Sequence, residues 1–189
     1  DTLDRQKTHV ELREAQIKIL EQWRDRRDEK DLVLKHATGA GKTTLGLLML
    51  LSHMRETGKP TLYLCPTVQL VEQVLEEGPR CGIPCATTTE DNHVPPAAYA
   101  GEAILVTTIK KLFNARTILA KGPVPFEPCA VVVDDAHAAL DIVRDSFTVT
   151  AKASSPVYKR LLALFKTTLG EQSVGATASL ANHDPYWTM

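Results

Sequence analysis

A chain of 189 residues that is 43% hydrophobic and 24% charged is long enough for about one domain with a real core, the profile of a soluble globular protein. Its net charge of −1 carries no overall electrostatic footprint for nucleic acid, although a local basic strip is compatible with it. No apolar run approaches a membrane span and no signal peptide is present, so a reduced, cytoplasmic protein with no membrane partner is expected, and the start at Asp1 reads as an excised piece of a longer chain.

Residues 1–10 are polar, without clear period, and read as an irregular lead-in. Most of Leu12, Ala15, Ile17, Ile19, Leu20 and Trp23 then fit one helical face, which fades into the charge run at 24–31. The apolar run 32–35 predicts a first strand. A glycine-rich stretch follows, and then a helix over 42–55 that stops at Gly58. Leu45, Leu47, Leu48, Leu50 and Leu51 crowd more than one face of it, which predicts deep burial. Residues 61–65 form a second strand, broken by Pro66-Thr67. Thr67 is placed to cap a helix over 68–77 that ends at Gly78-Pro79.

Residues 83–88 read as a short strand and 89–101 as a loop. A clear strand over 103–107 leads into a short helix over 108–114. A loop over 121–128, with three prolines, delivers the chain to Cys129-Ala130-Val131-Val132-Val133, a continuous apolar run of the kind buried in a parallel sheet. Residues 138–146 look helical and 147–151 alternate like a strand. Residues 156–169 read as an amphipathic helix with Val157, Leu161, Leu164 and Phe165 on one side. Strands alternating with helices predict an α/β fold with a parallel sheet covered on both faces.

Of the four cysteines, Cys65 and Cys129 lie in apolar runs and read as buried small hydrophobes. Cys81 and Cys85 have the spacing of a zinc half-site, but no second ligand pair matches it.

The stretch Ala37-Thr38-Gly39-Ala40-Gly41-Lys42-Thr43-Thr44 lies between a predicted strand and a predicted helix. In that context glycines let successive N–H groups turn toward phosphate oxygens, and the helix N-terminus adds free donors and a positive dipole end. Lys42 is placed to reach the β- and γ-phosphates, and the Thr43 hydroxyl to hold Mg²⁺. The usual pattern has a small residue where this chain has His36. Asp134 and Asp135 follow another apolar strand. In a parallel sheet that puts them at the same edge as the glycine loop, where a nucleotide's metal needs an acid.

These residues resemble the superfamily 2 helicases and translocases. Residues 37–43 resemble motif I. Val133-Asp134-Asp135-Ala136-His137 resembles motif II, the DEAD/DEAH box, with Asp135 where the family usually has Glu. Leu12-Arg13-Glu14-Ala15-Gln16 resembles the glutamine motif. Cys65-Pro66-Thr67-Val68-Gln69-Leu70-Val71-Glu72-Gln73 resembles motif Ia, and Val106-Thr107-Thr108-Ile109-Lys110 the later nucleic-acid motif. Val174-Gly175-Ala176-Thr177-Ala178 is weakly similar to motif III, with Gly where the family has Ser; a small-residue turn is the competing reading.

The resemblance implies an N-terminal RecA-like domain over 31–189, preceded by a lead-in and helix over 1–30. It implies ATP and Mg²⁺ as cofactors, with Gln16 on adenine and Thr38, Gly39, Ala40, Gly41, Lys42, Thr43 and Thr44 around the phosphates. Thr43 and Asp134 would hold the metal. Lys42, Asp134 and Asp135 would carry hydrolysis, with Asp135 one methylene short for orienting water. Pro66, Thr67, Gln73, Thr107 and Thr108 would meet a DNA or RNA backbone, and His137 would couple the two sites. The transition-state arginines would come from a second RecA-like domain or partner, so this piece alone should hydrolyse slowly.

Bland readings stand beside these: Gln16 as a surface polar residue, Thr67 as a cap alone, Thr107 and Thr108 as strand-end residues, and His137 as a packing residue. Two other functions remain, a nucleotide-responsive switch or scaffold with weak or no hydrolysis, and a small-molecule kinase. The kinase leaves motif Ia unexplained.

Overall fold

The computed structural model describes residues 12–37, 39–114, 117, 119, 124–152 and 154–172. The expected lead-in at 1–10 and the weak motif III likeness at 174–178 lie outside the described residues. The chain divides into two units, Asp1–Phe147 and Thr148–Met189.

In the first unit the elements are α1 (Glu14–Arg26), α2 (Lys42–Thr57), β1 (Thr61–Cys65), α3 (Val68–Arg80), β2 (Cys85–Ala86), α4 (Pro96–Tyr99), β3 (Ile104–Thr108), α5 (Ile109–Leu112), β4 (Ala130–Val133) and α6 (Ala136–Ser146). The second contributes α7 (Pro156–Gln172). No described helix is long and apolar enough to cross a membrane.

The strands form one all-parallel sheet in the order β2-β3-β1-β4. Alternation along β1 and β3 splits the core in two. Tyr63, Cys65, Ile104 and Val106 pack with Leu47, Leu50, Leu51 and Met54 of α2 and with Val71 and Val74 of α3. Leu62, Leu64 and Leu105 face the other way, against Ala98, Leu119 and Phe126. The expected α/β fold with a parallel sheet is therefore the observed one, and the leucine-rich helix is as buried as its crowded faces predict. Gly101, just before β3, packs against the end of α2: a Cβ there would lie 2.7 Å from the Gly58 carbonyl oxygen.

Several expectations fail. Residues 32–35 form no strand. A lone extended segment needs a ladder for its N–H and C=O groups, and among the described residues the sheet ends at β4. Val33 is 94% exposed as a result. Residues 147–151 form no strand either. The loop expected over 89–101 contains the short helix α4, opened by Pro96 at its first position. Helix α3 runs past Gly78-Pro79 to Arg80. A proline in a last turn removes only one backbone bond, and that turn is closed by Cys81 N–H donating to the carbonyls of Glu77 (3.1 Å) and Gly78 (3.0 Å). Cys65 is buried as expected, but Cys129 is exposed because it precedes the edge strand and does not lie inside it.

Candidate functional site

Parallel strands deliver their following loops to one edge. The register pairs Cys65 with Thr108 and Leu64 with Val133. Pro66-Thr67 after β1, Thr108 at the end of β3 and Asp134-Asp135 after β4 therefore emerge side by side. Asp134 is tied there by its N–H, which donates to the Leu64 carbonyl at 2.9 Å.

The glycine loop meets this edge through α2. Gly39 (φ +73°) and Gly41 (φ +77°) adopt left-handed conformations that other L-residues rarely take, which is why the loop needs glycine at both. Gly41 has a second reason, since a Cβ there would collide with the Gln16 side-chain amide. The first turn of α2 carries no acidic residue, so its N-terminal donors and dipole are not offset by a negative side chain. Thr38 lies outside the described residues.

Gln16 is only 5% exposed. Its Nε2 donates to the Ala40 carbonyl at 3.2 Å and to that of Gly41 at 3.5 Å, while its Oε1 accepts from the Arg13 N–H at 2.8 Å. Arg13 Nη1 also donates to the Gly39 carbonyl at 3.5 Å. Gln16 is thus no surface residue on an amphipathic helix: both ends of its amide are engaged, one of them on the glycine loop. Thr44 donates to Glu77 Oε1 at 3.0 Å, linking the loop to α3.

Tyr63, a residue that sequence reasoning does not single out, lies on β1 at 1% exposure. Burial first, and then the negative Asp134, push its phenol well above the usual tyrosine range. The same two causes, in the same order, push the Cys65 thiol up to about 12.

Asp135 has φ +45°, and its Oδ1 accepts from the Ala138 N–H at 3.3 Å, capping α6. Asp134 Oδ1 accepts from the Asp135 N–H at 3.0 Å. His137 is exposed on the first turn of α6.

Along the rest of the edge Pro66 is buried, whereas Thr67 and Gln73 are exposed on the α3 side. Thr67 caps α3, accepting from the Leu70 N–H at 3.3 Å. Thr107 is a correction: it is 1% exposed, since strand alternation turns it into the core, and its hydroxyl cannot meet a nucleic-acid backbone in this structure. Thr108, the next residue, is partly exposed at the N-cap of α5.

Among the described residues no group of three or more His, Cys, Asp and Glu side chains is placed to hold a metal, the Cys81–Cys85 segment included. Thr43 and Asp134 do fit Mg²⁺ borne by a nucleotide, because that ion takes one or two protein oxygens and fills its remaining positions with phosphate and water.

No curated protein and no solved structure gives a significant match to the chain. A family model does, that of the type III restriction enzyme, res subunit, over residues 9–171, a span that takes in the glycine loop, Tyr63 and Asp134. By that match the chain belongs to this family, a family of superfamily 2 helicase-like, ATP-binding N-terminal motor domains.

Proposed function

We propose that the domain binds ATP with Mg²⁺ and couples its hydrolysis to movement on, or remodelling of, DNA or RNA. The observation that carries the reading is a glycine loop with left-handed Gly39 and Gly41 opening α2, inside a family match that spans both this loop and Asp134. Residues 31–189 are read as a first RecA-like domain, with 1–30 as its lead-in.

In this reading the loop from Thr38 to Thr44 wraps the phosphates and Lys42 offsets their charge. Thr43 and Asp134 are the metal's protein contacts, so Asp134-Asp135-Ala136-His137 plays the part of a DEAD/DEAH-type motif II. Bound Mg²⁺ would supply charge neutralisation at the β- and γ-phosphates. Asp135 orients the attacking water once its carboxylate leaves the α6 cap. An adenine contact by Gln16 requires its amide to turn away from Ala40 and Gly41. Thr67, Gln73 and Thr108 offer hydroxyl, amide and helix N-terminal donors to a sugar-phosphate backbone without reading bases. His137 links the two sites, and arginines from a second RecA-like domain or partner complete the crevice.

Binding of a fluorescent ATP analogue in Mg²⁺ buffer tests the reading. Lys42→Ala should weaken binding by about 100-fold, as expected for loss of a charge-assisted phosphate contact; equal affinity in both proteins would sink it. The second reading, a switch with weak or no hydrolysis, is favoured by Asp135 being held as a helix cap. ATPase assays on the full-length protein separate the two. Stimulation by a nucleic-acid strand supports the motor, and no stimulation by any strand supports the switch.

A further inference from the structure

We propose that Gln16 is a positioning residue of the glycine loop, its side-chain amide drawing the Ala40 and Gly41 carbonyls toward α1 and thereby turning the Gly41 and Lys42 N–H groups outward to a polyphosphate. This rests on the proposed nucleotide reading and gives Gln16 a part in it that is independent of the base.

The partners fix how the amide is turned. Gln16 is 5% exposed in the first turn of α1. Its Oε1 accepts from the Arg13 N–H at 2.8 Å, and its Nε2 donates to the carbonyls of Ala40 at 3.2 Å and Gly41 at 3.5 Å. A flipped amide would set an oxygen against two carbonyls and an NH₂ against an N–H, so only one orientation matches donors to acceptors. The approach is close enough to exclude a side chain at residue 41, where a Cβ would collide with the Gln16 amide. Arg13 Nη1 adds a bond to the Gly39 carbonyl at 3.5 Å. The start of α1 thus holds three consecutive loop carbonyls.

A trans peptide points its C=O and its N–H in opposite directions. The Ala40 carbonyl shares its peptide with the Gly41 N–H, and the Gly41 carbonyl shares its own with the Lys42 N–H. With both carbonyls held on α1, both N–H groups face away from it. The Gly41 carbonyl also accepts from the Leu45 N–H at 3.2 Å, which lays its peptide along the first turn of α2 with the Lys42 N–H leaving the helix end. The Ala40 N–H is engaged inside the loop, on the Ala37 carbonyl at 3.4 Å, so Gly41 and Lys42 carry the donors that Gln16 aims. Donors aimed in advance bind an anion without the cost of ordering the loop first.

The test is binding of ATP, GTP and inorganic tripolyphosphate in Mg²⁺ buffer by the full chain, wild type against Gln16→Met, followed by amide-resolved NMR. Methionine keeps the length of the side chain and removes its donor. All three ligands should bind about tenfold more weakly, as for loss of an anchoring hydrogen bond. The Gly41 and Lys42 amide signals should respond less to saturating tripolyphosphate in the variant, while signals from the sheet stay in place. Weakening confined to ATP would overturn the proposal by showing an adenine contact instead. Equal affinities would overturn it, and so would weakening with displaced sheet signals and unchanged Gly41 and Lys42 responses, the mark of a structural role only. A second measurement needs no variant: the Gln16 side-chain NH₂ signals of the wild type should respond alike to ATP and to tripolyphosphate, and a response to ATP alone would overturn the proposal. Absence of binding of all three ligands by the wild type would overturn it together with the reading on which it rests.

Discussion

The centre and the edge of the sheet are built from similar residues and behave differently. In β1 every residue is buried, and β3 is buried up to its last residue. In β4 burial alternates, with Val131 47% and Val133 42% exposed, and the equally apolar Leu32-Val33-Leu34 pairs with no strand among the described residues. An apolar run supplies the surface to be buried, but a neighbour on each side has to supply the ladder and the cover. The candidate site spans this divide. Thr67 and Thr108 stand on the well-packed centre, whereas Asp134 follows the edge strand and is tied inward by its N–H on the Leu64 carbonyl.

The sharpest way to break the contrast is chemical. Cys65 lies in the centre and Cys129 just outside the edge strand. Cys65 is 0% exposed and burial pushes its thiol up to about 12, whereas Cys129 is exposed. Native-state labelling with a disulfide reagent should therefore modify Cys129 long before Cys65; comparable rates would mean that the centre opens as readily as the edge. Leu105→Ala, at a position of 0% exposure, should cost about 2–5 kcal/mol by denaturant unfolding, against roughly 1 kcal/mol or less for Val131→Ala. Similar losses would erase the distinction.

Thr67→Ala removes the α3 cap next to the central strand and should cost about 1 kcal/mol. The smallest effect concerns His53 on α2. Burial and then Arg27 lower its pKa below the ordinary value, while Trp23 packs against the ring edge at 5.5 Å. The unfolded chain then binds the proton more readily than the folded one. Stability should be intact above the ordinary histidine pKa and fall slightly as pH drops through the lowered one. His53→Phe should flatten that slope in melting curves at pH 5 to 7.

What could be read from the residues follows the range of the forces involved. The glycine loop was legible because its demand, positive φ at Gly39 and Gly41 before a helix, is local. β1, β3 and α2 were legible because their apolar patterns agree with the neighbours they find. The failure at 32–35 is non-local: nothing within Leu32-Val33-Leu34 reports whether a strand lies beside it. The packing of Tyr63 was illegible for a similar reason, since only the fold brings its ring against Gly46 of α2. Gln16 was half legible. Its kinship to a glutamine motif could be read, but its bonds to Ala40 and Gly41 could not.

The contact between Gly101 and Gly58 lies beyond the opposite end of β1 and β3 from the site, with five-residue strands roughly 16 Å long in between. It acts as a depth stop. β1 starts just after one glycine and β3 just after the other, so their close approach fixes how far one strand is advanced along the other. That offset reappears at the far edge as the pairing of Cys65 with Thr108. A side chain at residue 101 would touch nothing that binds a ligand, yet it would misalign the Pro66-Thr67 and Thr108 ends of the edge from behind.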